Sequence, residues 1–548
     1  MNSNKWLISV SVNTSMITSR KSIRLFSAVF LSAVFVATLC FFFEPCWETN
    51  DDVASIMKLH GYGTVAVSSP RLIFSNILWG DVVQAIPTIN GIVGYSIATL
   101  AVLALTGAIL LYVVSECCGW PIAIFVCVLV LTRPVLFPQF TINAGLLAVA
   151  AIVCWHIYGT RGSKRALFGG CLLFLFSYLI RRNECLLVLL IATPLLPWLK
   201  LVRERVAGMA ALCLMFALVM ATFIDHQAYQ GEDWRAFNAL NSVRMKFSDY
   251  GAGRHLKRHP EILARHGYTA NDINLIANWF FVDPQIANPV RLQAMLADLG
   301  PLLMQEGTVA KGLDALKAFS RPILLPIFAV ALFLSLLFPH RKIVATLLLT
   351  VALFLWIGSQ GRPGVLRIYI PVVALLVISP LLLAPYKKIK HGLALAALIL
   401  AVIFNTASVW SESKKTQIHF ERIRHDMRNF PTEPIVTWGG NVFPFEAVYP
   451  VLRRYEPALS YQLYGLGVAV LAPTARSFAE EKKRRGFIER LLSQDGVPIV
   501  AHKSRVGLLR LYCQEHFSGE LRELARQQFG QVSVQRLQCY VPAQQQGI

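Results

Sequence analysis

Apolar runs punctuate the chain at residues 25 to 43, 92 to 114, 117 to 132, 142 to 158, 166 to 180, 185 to 199, 206 to 224, 322 to 338, 343 to 357, 368 to 385 and 392 to 410. A helix rises roughly 1.5 Å per residue and a bilayer core is about 30 Å thick, so a span takes around 20 apolar residues, fewer where it ends inside protein. The pattern predicts an all-α polytopic membrane protein with about eleven transmembrane helices. Two long polar stretches, 225 to 320 and 411 to 548, stand apart from it. In the first, Asn271 and Asp272 of "TANDINLIANWFF" are placed as caps before an apolar-periodic run. The second alternates strand-like "PIVTWGG" and "VPIVAHK" with a basic helical pattern, "ARSFAEEKKRRGFIERLLSQ", and reads as a small α/β domain.

Short basic loops set the orientation. Lys5, Arg20, Lys21 and Arg24 precede the first run, which predicts a cytoplasmic N-terminus and, for an odd number of spans, an outer C-terminus. Four of the five later loops that this places inside are basic: Arg161, Lys164 and Arg165; Lys200, Arg203 and Arg205; Arg341 and Lys342; Lys387, Lys388 and Lys390. The turn at Glu116 is the exception. The first run is longer than a usual signal-peptide core and no small-x-small site follows it, so it reads as a retained anchor. The expected organisation is a membrane domain over 1 to 224 with an outer loop at 44 to 91, an outer helical insertion over 225 to 320, further spans over 321 to 410, and the outer α/β tail over 411 to 548.

Composition supports this picture: 55% of residues are hydrophobic and 15% charged, with a mean hydropathy of +0.53, against roughly 25% charged in soluble domains. The formal charge of +21 is read as affinity for anionic lipid, because the basic residues do not interleave with aromatics as a nucleic-acid binder requires. Most cysteines lie in or against apolar runs. Cys513 and Cys539 fall in the outer tail, where an oxidising compartment would let them pair. No CxxC or HExxH pattern marks a zinc site.

Candidate chemistry begins at "CWETNDDVASIMKLHGYG", directly after the first span. It sets Glu48, Asn50, Asp51 and Asp52 on the outer side. "TNDD" is also a good helix start, with Thr49 or Asn50 capping and the aspartates favoured by the helix dipole. Adjacent carboxylates point in different directions on a helix, so one could face a cleft while the other orients. Outer loops add Arg71, Arg133, Arg181, Arg182, Arg362 and Arg367 on a face that the positive-inside rule depletes. The spans flanking "IRRNE" are about 15 residues each, roughly 22 Å, so Arg181, Arg182 and Glu184 are expected below the membrane surface, where charges commonly mark a site. Each also has a plain role as a snorkelling anchor or an ion-pair partner. Carboxylates suit a general base and guanidiniums a phosphate; a lipid-linked phosphosugar needs both.

"ETNDD" after the first span, the loop "VASIMKLHGYG…SNILWGDVV", the outer arginines and the topology together resemble the GT-C class of polytopic glycosyltransferases. The resemblance implies sugar transfer from a polyprenyl-phosphate donor to an envelope glycan or lipid acceptor at the outer face of a bacterial inner membrane. It implies that Asp51 or Asp52 takes the catalytic aspartate role with the other supporting it. The reading of the residues ranks Asp52 as base and Asp51 as supporting acid, with Asn50, Glu48 and Glu184 assisting and Arg181, Arg182, Arg362, Arg367 and Arg71 on the donor phosphate. Some related enzymes use a divalent metal; the sequence does not require one, and no metal ligands are assigned. An O-antigen polymerase or ligase remains an alternative, kept open by Asp249, Arg254 and His255. A transport or assembly protein is the other; a transporter is disfavoured by the lack of repeated halves.

Overall fold

The computed structural model describes residues 4–301, 308–360, 363–384 and 388–542. The apolar runs are helical over most of their length. Among the described residues, seven helices are long and apolar enough to cross a membrane: Ser22–Phe42, Gly94–Cys118, Phe140–Arg161, Arg205–Ala228, Arg341–Ser359, Leu366–Leu383 and Ile389–Asp426. An eighth is counted if Val309–Ser320 and Leu325–Leu337, bent by 90° at their junction, form one broken span. Against the expected eleven, Trp120–Leu136 and Lys164–Ile180 are shorter, and the run at 185 to 199 breaks. Its helix stops at Ala192 and gives way to a 3-10 turn at Thr193–Leu195. Pro194 and Pro197 lack the N–H that a continuing helix needs.

Phe140–Arg161 is the centre of the bundle and is buried nearly throughout. A Cβ on Gly145 would come within 2.4 Å of Pro371, so the glycine lets Leu366–Leu383 pack against this helix at close range. Arg205–Ala228, by contrast, leaves Met209, Leu212, Phe216, Val219 and Phe223 exposed, as a lipid-facing helix does.

Ion pairs and hydrogen bonds sort the helix ends into two levels. At one level Arg24 and Arg161 both reach Glu116, and Tyr158 donates to Glu204. Glu116, whose turn lacks a basic residue of its own, thus takes its cations from neighbouring helices. At the other level, Asp52 meets Tyr95 and Phe140, the starts of two helices, and Arg367 reaches back to Asp51.

The Lys388–Asp426 helix has 39 residues, about 58 Å at ordinary rise, and carries the tail beyond the bundle. Arg133, its side chain 5% exposed, binds it at Glu412 (2.6 Å) while also holding Glu48 (3.0 Å). Arg424 pairs with Glu44 at 3.0 Å. The tail sheet comprises β1 (Ile435–Trp438), β2 (Leu463–Leu466), β3 (Val497–Ala501), β4 (Glu520–Phe529) and β5 (Val532–Tyr540) in the order β2-β1-β3-β5-β4. Strands β1, β2 and β3 run parallel, and β5 is antiparallel to β3 and β4. Cys513 and Cys539 form a disulfide. The basic helical pattern of the tail is split into Arg476–Lys482 and Phe487–Leu492, because Arg484 adopts a left-handed backbone (φ 52°) between them.

The insertion and the tail share one apolar core. Phe280 packs on Trp438, Phe487 and Tyr512, Trp438 Nε1 donates to the Asn278 carbonyl at 2.6 Å, and Tyr512 Oη to Asp283 at 2.7 Å. The cap of the Ala270–Ala277 helix differs from expectation. Thr269 is the N-cap, in a reciprocal box with Asp272, because a hydroxyl one residue before the helix reaches the free N–H groups. Asn271 instead donates to the Leu508 carbonyl of the tail at 3.2 Å.

Candidate functional site

The first outer loop opens with the Asn50–His60 helix. Thr49 precedes it in an extended conformation, and Asp51 and Asp52 occupy the first turn, where the positive end of the helix dipole favours them. Gly61, at φ 75°, ends the helix and returns its N–H to the Met57 carbonyl. Val53, Ile56 and Met57 bury one face in the membrane-domain core. Neither Thr49 nor Asn50 caps through its side chain; the Thr49 hydroxyl is turned onto Asp52 Oδ2 at 3.3 Å.

Successive helical side chains diverge by about 100°, and the two aspartates part accordingly. Asp52 is 0% exposed. Its Oδ1 accepts from Tyr95 Oη at 2.9 Å and from the Phe140 backbone N–H at 3.0 Å, tying the loop to two membrane helices. Burial pushes its pKa up to about 8 despite those donors. Asp51 faces the other way, 26% exposed, and accepts from Arg367 at 2.8 Å.

Around that pair lies a chain of charges. Glu184 is within electrostatic reach of Arg367 and accepts from Arg181 Nε at 3.2 Å. Arg181 also donates to the Phe74 carbonyl at 3.1 Å, and its guanidinium lies over the rings of Phe74 and Phe140 at 5.1 and 5.5 Å. Phe140 therefore serves both halves of the site, with its N–H on Asp52 and its ring under Arg181. A further carboxylate, Glu446, arrives from the short Phe445–Val448 helix of the tail. Its pKa is raised by burial and, further, by the negative charge of Asp51. An isolated glutamate in the aromatic stretch "FPFEAVYP" was its visible signal, but nothing in the sequence links it to residue 51.

Other expected residues lie elsewhere. Glu48 is held by Arg133. Asn50 reaches the Gly440 carbonyl at 3.5 Å. Arg71 donates Nε to the Ala228 carbonyl at 2.9 Å, satisfying a helix end. Arg182 does not join the Asp51–Arg367 pair; it lines a polar cavity that Arg181 also borders. Arg362 lies outside the described residues.

One group among the described residues has metal-ligand spacing: Asp272, Glu515 and His516, whose ligand atoms lie within 4.8 Å of one another. These belong to the contact between insertion and tail, where His516 Nε2 meets Asp272 at 2.8 Å and Glu515 accepts from Thr269 at 2.9 Å.

No family model matches the chain, and no curated protein does. Among solved structures, the crystal structure of ArnT from Cupriavidus metallidurans bound to undecaprenyl phosphate is matched at 10% identity and a TM-score of 0.36, over 93% of this chain and 97% of that one. Both chains are matched over nearly their whole length, at a level that establishes no shared activity.

Proposed function

We propose that this multi-pass membrane protein transfers a sugar from a polyprenyl-phosphate donor to an envelope glycan or lipid acceptor at the outer face of a bacterial inner membrane. The observation that carries the reading is the accessible Asp51 carboxylate set 2.8 Å from Arg367, on a helix that the buried Asp52 fastens to the bundle. The disulfide in the tail supports an outer location for that end of the molecule.

The sequence ranks Asp52 first as base; the geometry favours Asp51. A general base must reach its proton, and the Asp52 oxygens are occupied by Tyr95, Phe140 and Thr49. A donor phosphate competes with Asp51 for Arg367 and leaves the carboxylate free to act. Asp51 then takes the acceptor hydroxyl proton, the hydroxyl oxygen forms a bond to the anomeric carbon, and the bond from that carbon to the phosphate oxygen breaks. The phosphate departs with the electron pair and gains one negative charge, which Arg367 and Arg181 stabilise. Asp52 holds the helix in place, and Glu184 positions Arg181.

The test incubates purified wild type, Asp51→Asn and Arg367→Gln with radiolabelled polyprenyl-phosphate sugars and membrane extract. Label should pass to product in wild type and fall by about a thousandfold in Asp51→Asn, the order expected for loss of a general base. Undiminished transfer by Asp51→Asn would remove Asp51 from the mechanism. No donor consumption by wild type would reject the transferase reading.

A further inference from the structure

A polar cavity of about 250 Å3 opens between the end of the Lys164–Ile180 helix, the start of Arg182–Ala192, the end of Arg205–Ala228 and the 73–76 segment. Ser75, Tyr178, Arg182, Asn183, Thr222 and Asp225 supply its chemistry. Its position along Arg205–Ala228 is informative. Below it that helix exposes Met215, Phe216 and Val219 to lipid, and at its rim Phe223 is still 54% exposed. The cavity therefore begins where the apolar surface ends, at the depth of lipid head groups.

The groups inside are unevenly used. Asp225 Oδ1 accepts from the Ile77 backbone N–H at 2.8 Å, and Tyr178 and Thr222 share a hydrogen bond of 2.8 Å. Arg182 is exposed and makes no hydrogen bond or ion pair among the described residues; Asp225 acts on it only electrostatically. Arg181, next in sequence, commits Nε to Glu184 and Nη1 to the Phe74 carbonyl. One uncommitted guanidinium, in a cavity that Ser75 and Asn183 also line, matches the oxygens of a phosphate. The second Asp225 oxygen suits a hydroxyl or ammonium beside it.

We infer that this cavity binds the head group of a membrane lipid, a phosphate ester with an adjacent hydrogen-bond donor, entering sideways from the bilayer. The cavity does not include the Asp51–Arg367 pair, although it shares Arg181 with the proposed donor-phosphate contacts; lipid binding at Arg182 does not depend on the transferase reading. Arg181 lines the cavity and also pairs with Glu184, so an occupied cavity borders the charges around Asp51.

The full chain in neutral detergent is titrated with dioctanoyl phosphatidylglycerol, dioctanoyl phosphatidylethanolamine, dioctanoylglycerol and inorganic phosphate, with bound mass read by native mass spectrometry. Both phospholipids should bind wild type at least about tenfold more tightly than dioctanoylglycerol, and Arg182→Gln should lose about that factor, the order of one charge-assisted pair. Arg182→Lys should recover part of it. Asn183→Ala, at an exposed position, should weaken binding less and serves if Arg182→Gln melts early. Equal phospholipid binding by wild type and a folded Arg182→Gln, or equal binding of dioctanoylglycerol, would overturn the site. Inorganic phosphate binding as tightly as the lipids would overturn the assignment to lipid.

Discussion

Asp51 and Asp52 are neighbours in sequence with opposite surroundings, and the difference is measurable without substrate. Asp52 is buried and its pKa is pushed up to about 8, against about 4 in an unfolded chain. Below about pH 4 both states keep the proton; between about 4 and 8 the unfolded chain releases it while the folded one holds it. Stability should therefore fall as pH rises through that window and level off above it. Asp52→Asn mimics the neutral carboxyl and should flatten this profile, with little loss at pH 7. Asp52→Ala leaves the Phe140 N–H and Tyr95 hydroxyl without their acceptor, a cost of roughly 3 kcal/mol. Thermal melting of the three proteins in detergent between pH 4 and 9 checks both statements. A wild-type profile as flat as that of Asp52→Asn would mean that the carboxyl is not desolvated as the fold implies.

At the scale of elements, the sequence marks where helices begin and end better than what they touch. "TNDD" was legible as a helix start, and the Asn50–His60 helix is there. Asn271 and Asp272 were legible as cap-forming types, but their contacts with Leu508 and His516 belong to the tail, more than 200 residues away. That contact has its own pH signature. The hydrogen bond to Asp272 raises the His516 pKa above its ordinary value near 6.5. The protonated pair should thus support the contact fully below about pH 6.5, and the support should be lost as pH rises through the higher folded value. Hydrogen exchange over residues 270–283 should be slowest at low pH after correction for intrinsic rate. His516→Gln should remove that dependence. Unchanged pH dependence in the variant would show that other groups set it.

Over the whole molecule, the sorting of helix ends into two levels is the strongest structural counterpart of the basic-loop pattern. Arg24, Glu116 and Arg161 meet at one level; Asp52, Tyr95, Phe140, Arg367 and Asp51 meet at the other. If the basic level is cytoplasmic, a phosphatase reporter fused after residue 411 should be active outside the membrane. Cys513 and Cys539 should resist thiol labelling until reduced. A cytoplasmic reporter signal would invert the arrangement and place the Asp51 site inside.

Runs of apolar residues and the loops between them determined by themselves that the chain crosses a membrane as helices and that a segment with strands follows them. Those properties depend on length and local hydrophobicity, which neighbouring residues supply. Tertiary structure alone decided the rest. It set Asp51 beside Arg367, more than 300 positions away, and buried Asp52 under Phe140. It brought Glu446 of the tail within the field of Asp51 and paired Arg181 with Glu184 while leaving Arg182, adjacent in sequence, on the wall of a polar cavity. The physical reason is the same in each case: a carboxylate or guanidinium takes its role from what desolvates it and what charge it meets, and here both come from distant segments of the chain.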